Sequence, residues 1–198
     1  RALAAAMLAF VAPPAVGQPR SPAQEALAPG RVELSTGLSL DVTRQSDNRG
    51  SQTLLNVPLR VGAMASGRFE LEGEVLVTFT KDGGISDTGV TGAAHGVYHF
   101  ATQSSTVPFL LAGAGYGDAV AIGNVAAETG MNVWLLRAGA GVKSFFGRHA
   151  ALRAEYRFTR YRGSENRFCE ACPPRQPSGP VHRTIDDHGV LVGISLWP

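Results

Sequence analysis

From Arg31 onward, apolar and polar residues alternate with a period of two, the spacing of a strand whose two faces meet different surroundings. Val32, Leu34, Thr36, Leu38, Leu40 and Val42 alternate with Arg31, Glu33, Ser35, Gly37, Ser39 and Asp41. The pattern returns in Leu55, Val57, Leu59, Val61 and Ala63 against Asn56, Pro58, Arg60 and Gly62. It returns again in Phe69, Leu71, Val75, Val77 and Phe79 against Glu70, Glu72, Glu74 and Thr78. A fourth strand, residues 93–101, alternates more weakly, with Gly96, Tyr98 and Phe100 against His95, Val97 and His99. The fifth, 107–117, and the sixth, 132–146, share the near-repeat Leu111-Ala112-Gly113-Ala114-Gly115-Tyr116 and Arg137-Ala138-Gly139-Ala140-Gly141-Val142. Arg137 and Lys143 mark the polar face of the sixth strand, so the repeat puts Gly113 and Gly115 on the polar face of the fifth. The seventh sets Leu152, Ala154, Tyr156 and Phe158 against Arg153, Glu155, Arg157 and Thr159. The eighth sets Val190, Val192, Ile194 and Leu196 against Gly189, Leu191, Gly193 and Ser195.

The connections alternate as well. Residues 65–68, 102–106 and 147–149 form short turns, whereas 43–52, 81–92, 118–131 and 162–183 form long polar loops rich in Gly, Asp, Asn and Ser. This rhythm predicts an all-β fold: an eight-stranded antiparallel up-and-down transmembrane β-barrel with short periplasmic turns, extracellular loops and periplasmic termini.

The segment before the first strand reads differently. Residues 1–17 run from Arg1 through Ala, Leu, Met, Phe and Val to Ala15-Val16-Gly17, the composition of a secretory signal remnant. Residues 18–29 read as a Pro-rich mobile linker, leaving 30–198 as the barrel domain. No later stretch reaches 18 consecutive apolar residues, so an exported chain held in a membrane would have to be a barrel.

Alternation alone does not fix which face is inside, because a secreted lipocalin-like barrel is apolar within. Three features favour the inverted arrangement. The polar face is rich in glycine, which relieves crowding in a barrel that side chains nearly fill. Its charges balance by sign, with Arg31, Arg60, Arg137, Lys143, Arg153 and Arg157 facing Glu33, Asp41, Glu70, Glu72, Glu74 and Glu155 as a lumenal network. Apolar-face aromatics gather at strand ends: Phe69, Phe100 and Phe146 at the turn end, and Phe79, Tyr116, Trp134 and Phe158 at the loop end. Two such girdles mark the interfaces of a membrane barrel.

A net charge of +2 with both signs interspersed gives no basic stripe for nucleic acid. Cys169 and Cys172, in the longest loop, suit a local disulfide in an exported protein. A metal site joining them to His182 or His188 is the weaker alternative, because a second ligand pair at zinc spacing is missing. His95 and His99 on the polar face suit ion pairs with Glu70, Glu72 or Glu74 better than catalysis, since the sequence has no His-x-Ser pair of the lipid A deacylase kind. Eight strands leave little lumen, and inward Phe109 and Leu191 add to the filling. The expected interior is a plug of paired charges that fixes strand register, with Glu72 and Arg137 taken as energetically coupled.

The chain resembles the small outer-membrane barrels: the OmpA transmembrane domain, OmpX and the opacity-type surface antigens. The resemblance is carried by Val107-Pro108-Phe109-Leu110-Leu111-Ala112-Gly113-Ala114-Gly115-Tyr116, by Leu152-Arg153-Ala154-Glu155-Tyr156-Arg157-Phe158, and by the closing Val190-Leu191-Val192-Gly193-Ile194-Ser195-Leu196. It implies residence in a bacterial outer membrane, outer-membrane lipid as surroundings and delivery by the barrel-assembly machinery. It departs at the end, where Trp197-Pro198 stands in place of the usual terminal aromatic. The resulting expectation is a monomeric, non-enzymatic surface barrel without cofactor, serving envelope integrity or meeting an extracellular partner through its loops. The rival expectation is a small lipid-modifying outer-membrane enzyme.

Overall fold

The period-two segments pair with their sequence neighbours until the sheet meets itself. In a computed structural model, which describes residues 20–45, 51–82, 85–118, 132–165 and 181–198, the strands are β1 (Val32–Gln45), β2 (Ser51–Met64), β3 (Phe69–Asp82), β4 (Ile85–His99), β5 (Thr106–Asp118), β6 (Asn132–Phe145), β7 (Ala150–Glu165) and β8 (Val181–Leu196). They form a closed antiparallel barrel in sequence order, and β1 pairs with β8 to complete it. Closure gives every strand two neighbours, which is what a sheet in hydrocarbon requires. At the closing seam Gly37 lies opposite Gly193, and a Cβ on either would collide with backbone of the facing strand.

The sidedness is that of a membrane barrel. Leu38, Leu59, Leu71, Leu136 and Val190 point outward and are each more than half exposed, while Glu33, Arg60, Glu70, Glu72, Arg137, Lys143 and Arg153 point inward and are at most 4% exposed. A soluble lipocalin-like barrel would reverse these faces. Among the described residues no helix is long and apolar enough to cross a membrane.

The strands run further than the apolar pattern. At 13 to 16 residues each, a rise of about 3.4 Å per residue and a tilt of about 40° give roughly 34–42 Å of height, against an apolar band of about 25 Å. The excess projects at the loop end. Residues 85–92, expected in a loop, belong to β4, and 181–188 belong to β8. Residues 86–88 carry no apolar alternation, yet their backbone continues the ladder with β3.

The segment expected to be a mobile linker is also ordered where it is described. Ser21 caps a short helix, α1 (Pro22–Ala26), by a reciprocal capping box in which Gln24 N donates to Ser21 Oγ at 3.2 Å and Ser21 N to Gln24 Oε1 at 3.0 Å. Proline at the first helical position suits a helix start, so Pro22 initiates structure here rather than breaking it. Ala23, Ala26 and Leu27 are buried against Met64, Val107, Phe145, Ala151 and Trp197, filling the turn-end mouth of the barrel.

Candidate functional site

The lumen is where the inward charges converge. β3 supplies Glu70, Glu72 and Glu74 at two-residue intervals, so that three carboxylates climb the inner wall from the turn end. Each meets a cation from another strand. Lys143 of β6 bridges Glu33 of β1 at 2.5 Å and Glu70 at 3.0 Å, and its ammonium lies 5.7 Å from the ring centroids of Phe109 and Trp197. Arg153 of β7 reaches Glu72 at 2.5 Å and Glu155 at 2.8 Å, with its guanidinium 4.8 Å from the Phe109 centroid. Glu74 gathers Arg60 at 2.6 Å, Arg157 at 2.8 Å and a short contact from Arg137, whose Nε also donates to Thr159 at 3.0 Å. Glu155 closes the circuit by accepting from Arg157 Nε.

The expected members fall into place unevenly. Asp41 lies in the loop-side half, where it accepts from Ser39 Oγ and Asn56 Nδ2. Arg31 stands apart at the mouth, half-buried, its Nη2 donating to the Trp197 carbonyl at 3.4 Å. Glu72 and Arg137, expected to be coupled, choose different partners: Arg153 holds Glu72, and Glu74 takes Arg137. Partner choice depends on height in the barrel, which alternation does not encode. Asp187, fully inward on β8 at 3% exposure, lies between the expected loop 162–183 and the expected eighth strand, in a stretch without apolar alternation.

His95 Nδ1 lies 3.6 Å from Glu72 and His99 Nε2 lies 3.5 Å from Glu70, and no ring nitrogen of either histidine has a hydrogen-bond partner. Neither is positioned as base to a hydroxyl nucleophile. Glu72, Glu74 and His95, and likewise Glu33, Glu70 and Glu72, bring possible metal-ligand atoms within 4.8 Å of one another. Those carboxylates already hold arginine or lysine, so a divalent ion would enter against fixed positive charge. The chemistry of this donor set is ion pairing.

The girdle residues all face outward. Phe69, Phe100 and Phe146 stand at the turn end and Phe79, Tyr116 and Trp134 at the loop end, each at least 40% exposed. Tyr116 and Trp134 rings pack at 5.1 Å. Phe158 is half-buried, 5.2 Å from the ring of His188. The outer wall there also carries pairs the sequence did not signal: Tyr156 Oη and His188 Nδ1 at 2.7 Å, and Arg160 with Asp186. Continuing the alternation of β7 past Thr159 would have found Arg160 and Arg162. Cys169, Cys172 and His182 lie outside the residues whose side chains are described.

Comparison with known proteins agrees with this geometry. The family described as outer membrane protein beta-barrel domain matches residues 2–195. No curated protein sequence matches the chain. Among solved structures, Neisserial surface protein A (NspA) is similar at a TM-score of 0.60 with 13% identity, covering 83% of this chain and 96% of that one. Ail, the attachment invasion locus protein of Yersinia pestis, is similar at 0.52 with 11% identity, covering 86% and 99%. The outer membrane enzyme PagL is similar at 0.51 with 17% identity, covering 79% and 97%. At these identities the likeness is one of fold.

Proposed function

Because the chain belongs to the outer membrane protein beta-barrel domain family, we propose that this outer-membrane barrel is a non-enzymatic surface scaffold, holding its polar connections outside the cell for envelope integrity or for contact with an extracellular partner. The observation that carries the reading is the filled lumen. Arg60, Arg137, Lys143, Arg153 and Arg157, paired with Glu33, Glu70, Glu72, Glu74 and Glu155, occupy the cross-section that a channel would need. A rigid, closed barrel leaves function to the connections between strands, where binding residues gather on a fixed frame. NspA is described as a surface protein and Ail as an attachment invasion locus protein, and both descriptions accord with this role. The chain acts as a monomer, reaches the membrane through the barrel-assembly machinery and keeps both termini in the periplasm.

One observation favours the rival. His188 sits on the outer wall, hydrogen-bonded to the Tyr156 phenol, with Asp186 two residues along the same face. PagL is described as an enzyme, so a lipid-facing histidine has weight. A phenol is nevertheless an unusual acyl nucleophile, a role in which serine, cysteine and threonine predominate. The test replaces residues 119–131 and 166–180 with short Gly-Ser turns. Loss of surface attachment or of envelope resistance to detergent, with unchanged barrel folding, supports the scaffold. Unchanged attachment and resistance together with altered lipid A acylation, abolished by His188→Ala, overturns it in favour of the enzyme.

A further inference from the structure

The outer wall is apolar almost everywhere. Among the described residues, the charged side chains that point outward from the strands are Arg160 and Arg162 on β7 and Asp186 on β8, beside the imidazole of His188. They occupy adjacent strands in one patch: Arg160 is opposite Asp186, and Arg162 lies between Thr184 of β8 and Trp134 of β6. An outward arginine is costly at the bilayer midplane and nearly free at the interface, so this patch belongs at headgroup level. The side chains below it agree. Going toward the turn end, the same wall presents Phe158, Tyr156, Val190 and Val192, the last three at least half exposed, while Leu136 stands beside the patch, opposite Arg160. From Phe158 to Arg162 the chain climbs about 10 Å along the barrel axis, from the aromatic girdle into the headgroup layer.

The geometry points to a binding site for the phosphorylated headgroup of a multiply acylated outer-leaflet glycolipid, clamped by Arg160 and Arg162 over the apolar wall of β6, β7 and β8. Arg160 is fixed for this. Its Nε and Nη2 bind the two Asp186 oxygens at 2.7 and 2.8 Å, and its guanidinium lies 5.6 Å from the Phe158 ring centroid, which leaves the Nη1 edge to a further acceptor. Arg162 stands two residues on, about 7 Å away on the same face, close enough for both forks to reach one phosphate. After Asp186 is matched by Arg160, the patch keeps the charge of Arg162, the sign a phosphate needs. Several acyl chains would fill the broad slab beneath, where a two-chain lipid covers less. This inference rests on the reading that the loop end faces the outer leaflet.

The test uses the full barrel in nanodiscs of zwitterionic lipid, titrated with a bis-phosphorylated hexa-acyl glycolipid, its dephosphorylated form, or phosphatidylglycerol, with binding read by native mass spectrometry. The bis-phosphorylated form should bind best. Arg162→Gln should weaken it about fivefold and R160Q/R162Q about 25-fold, while Arg162→Lys keeps most of the affinity. Heat-modifiability of each variant shows separately that the barrel has folded. Equal binding of the dephosphorylated glycolipid, equal binding of phosphatidylglycerol, or undiminished binding by folded R160Q/R162Q would overturn the site. A wild-type chain that fails to form a heat-modifiable barrel would refute the membrane reading instead.

Discussion

Neutralising Glu72 should expose how the lumen is held together. Glu72 faces Arg153 at 2.5 and 3.4 Å and Arg60 at 3.6 Å, all three side chains buried. Removing one partner of a buried pair costs about 3–5 kcal/mol, because the other charge stays behind without compensation. Arg153 still holds Glu155 at 2.8 Å and Glu33 at 3.7 Å, so Glu72→Gln belongs at the low end, about 3 kcal/mol. Arg153→Met strips Glu72, Glu155 and Glu33 of a shared cation and belongs nearer 4 kcal/mol. The double variant removes both charges together and should fall short of the sum by about 2 kcal/mol. Urea unfolding in lipid vesicles, read as folded and unfolded bands on a cold gel, measures all four corners of this cycle. Additivity within about 0.5 kcal/mol would refute the claim that these two side chains act as a pair. A parallel cycle on Glu72 and Arg137 should show the smaller coupling, since Arg137 is bound to Glu74.

Leu110→Arg, on the outward face of β5 opposite Ala140, which is midway along β6 between Trp134 and Phe146, should cost roughly 2–4 kcal/mol near the bilayer midplane and reduce the folded fraction; normal assembly would contradict the assigned lipid face. At the closing seam, a Cβ on Gly193 would meet Gly37 Cα at 2.9 Å and collide with the Thr36 carbonyl. Gly193→Val should therefore slow closure and destabilise by about 1–3 kcal/mol, measured as the rate at which the folded band appears. Leu27, 1% exposed beneath α1, should lose about 2–5 kcal/mol on change to alanine, seen as a lower thermal midpoint; an unchanged midpoint would mean the mouth is not packed as described.

What alternation reveals about this chain follows from what alternation reports. Leu38 and Ser39 differ because one meets lipid and the other the lumen, so both faces were legible wherever the strand crosses the apolar band. Above it the contrast vanishes, and Ser86, Asp87 and Thr88 read as loop although they pair with β3. The same loss hid Asp186, Asp187 and His188 on β8. Sign balance announced the interior network, but the partner of each carboxylate did not follow from it. Arg153 and Glu72 meet across the lumen from strands β7 and β3, at matching heights set by shear and tilt. The ordered start was hidden for a different reason. Two prolines and several alanines around Ser21 suggest a linker, and only the hydrophobic mouth formed by Met64, Phe145 and Trp197 gives α1 something to pack against.

The most direct test of the central account is outer-membrane fractionation followed by electrophoresis with and without heating. A chain with its apolar face to lipid and its charges paired inside should sediment with the outer membrane, need detergent for extraction, and migrate faster unheated than boiled. Full solubility in the periplasm without detergent, with one mobility in both lanes, would contradict it.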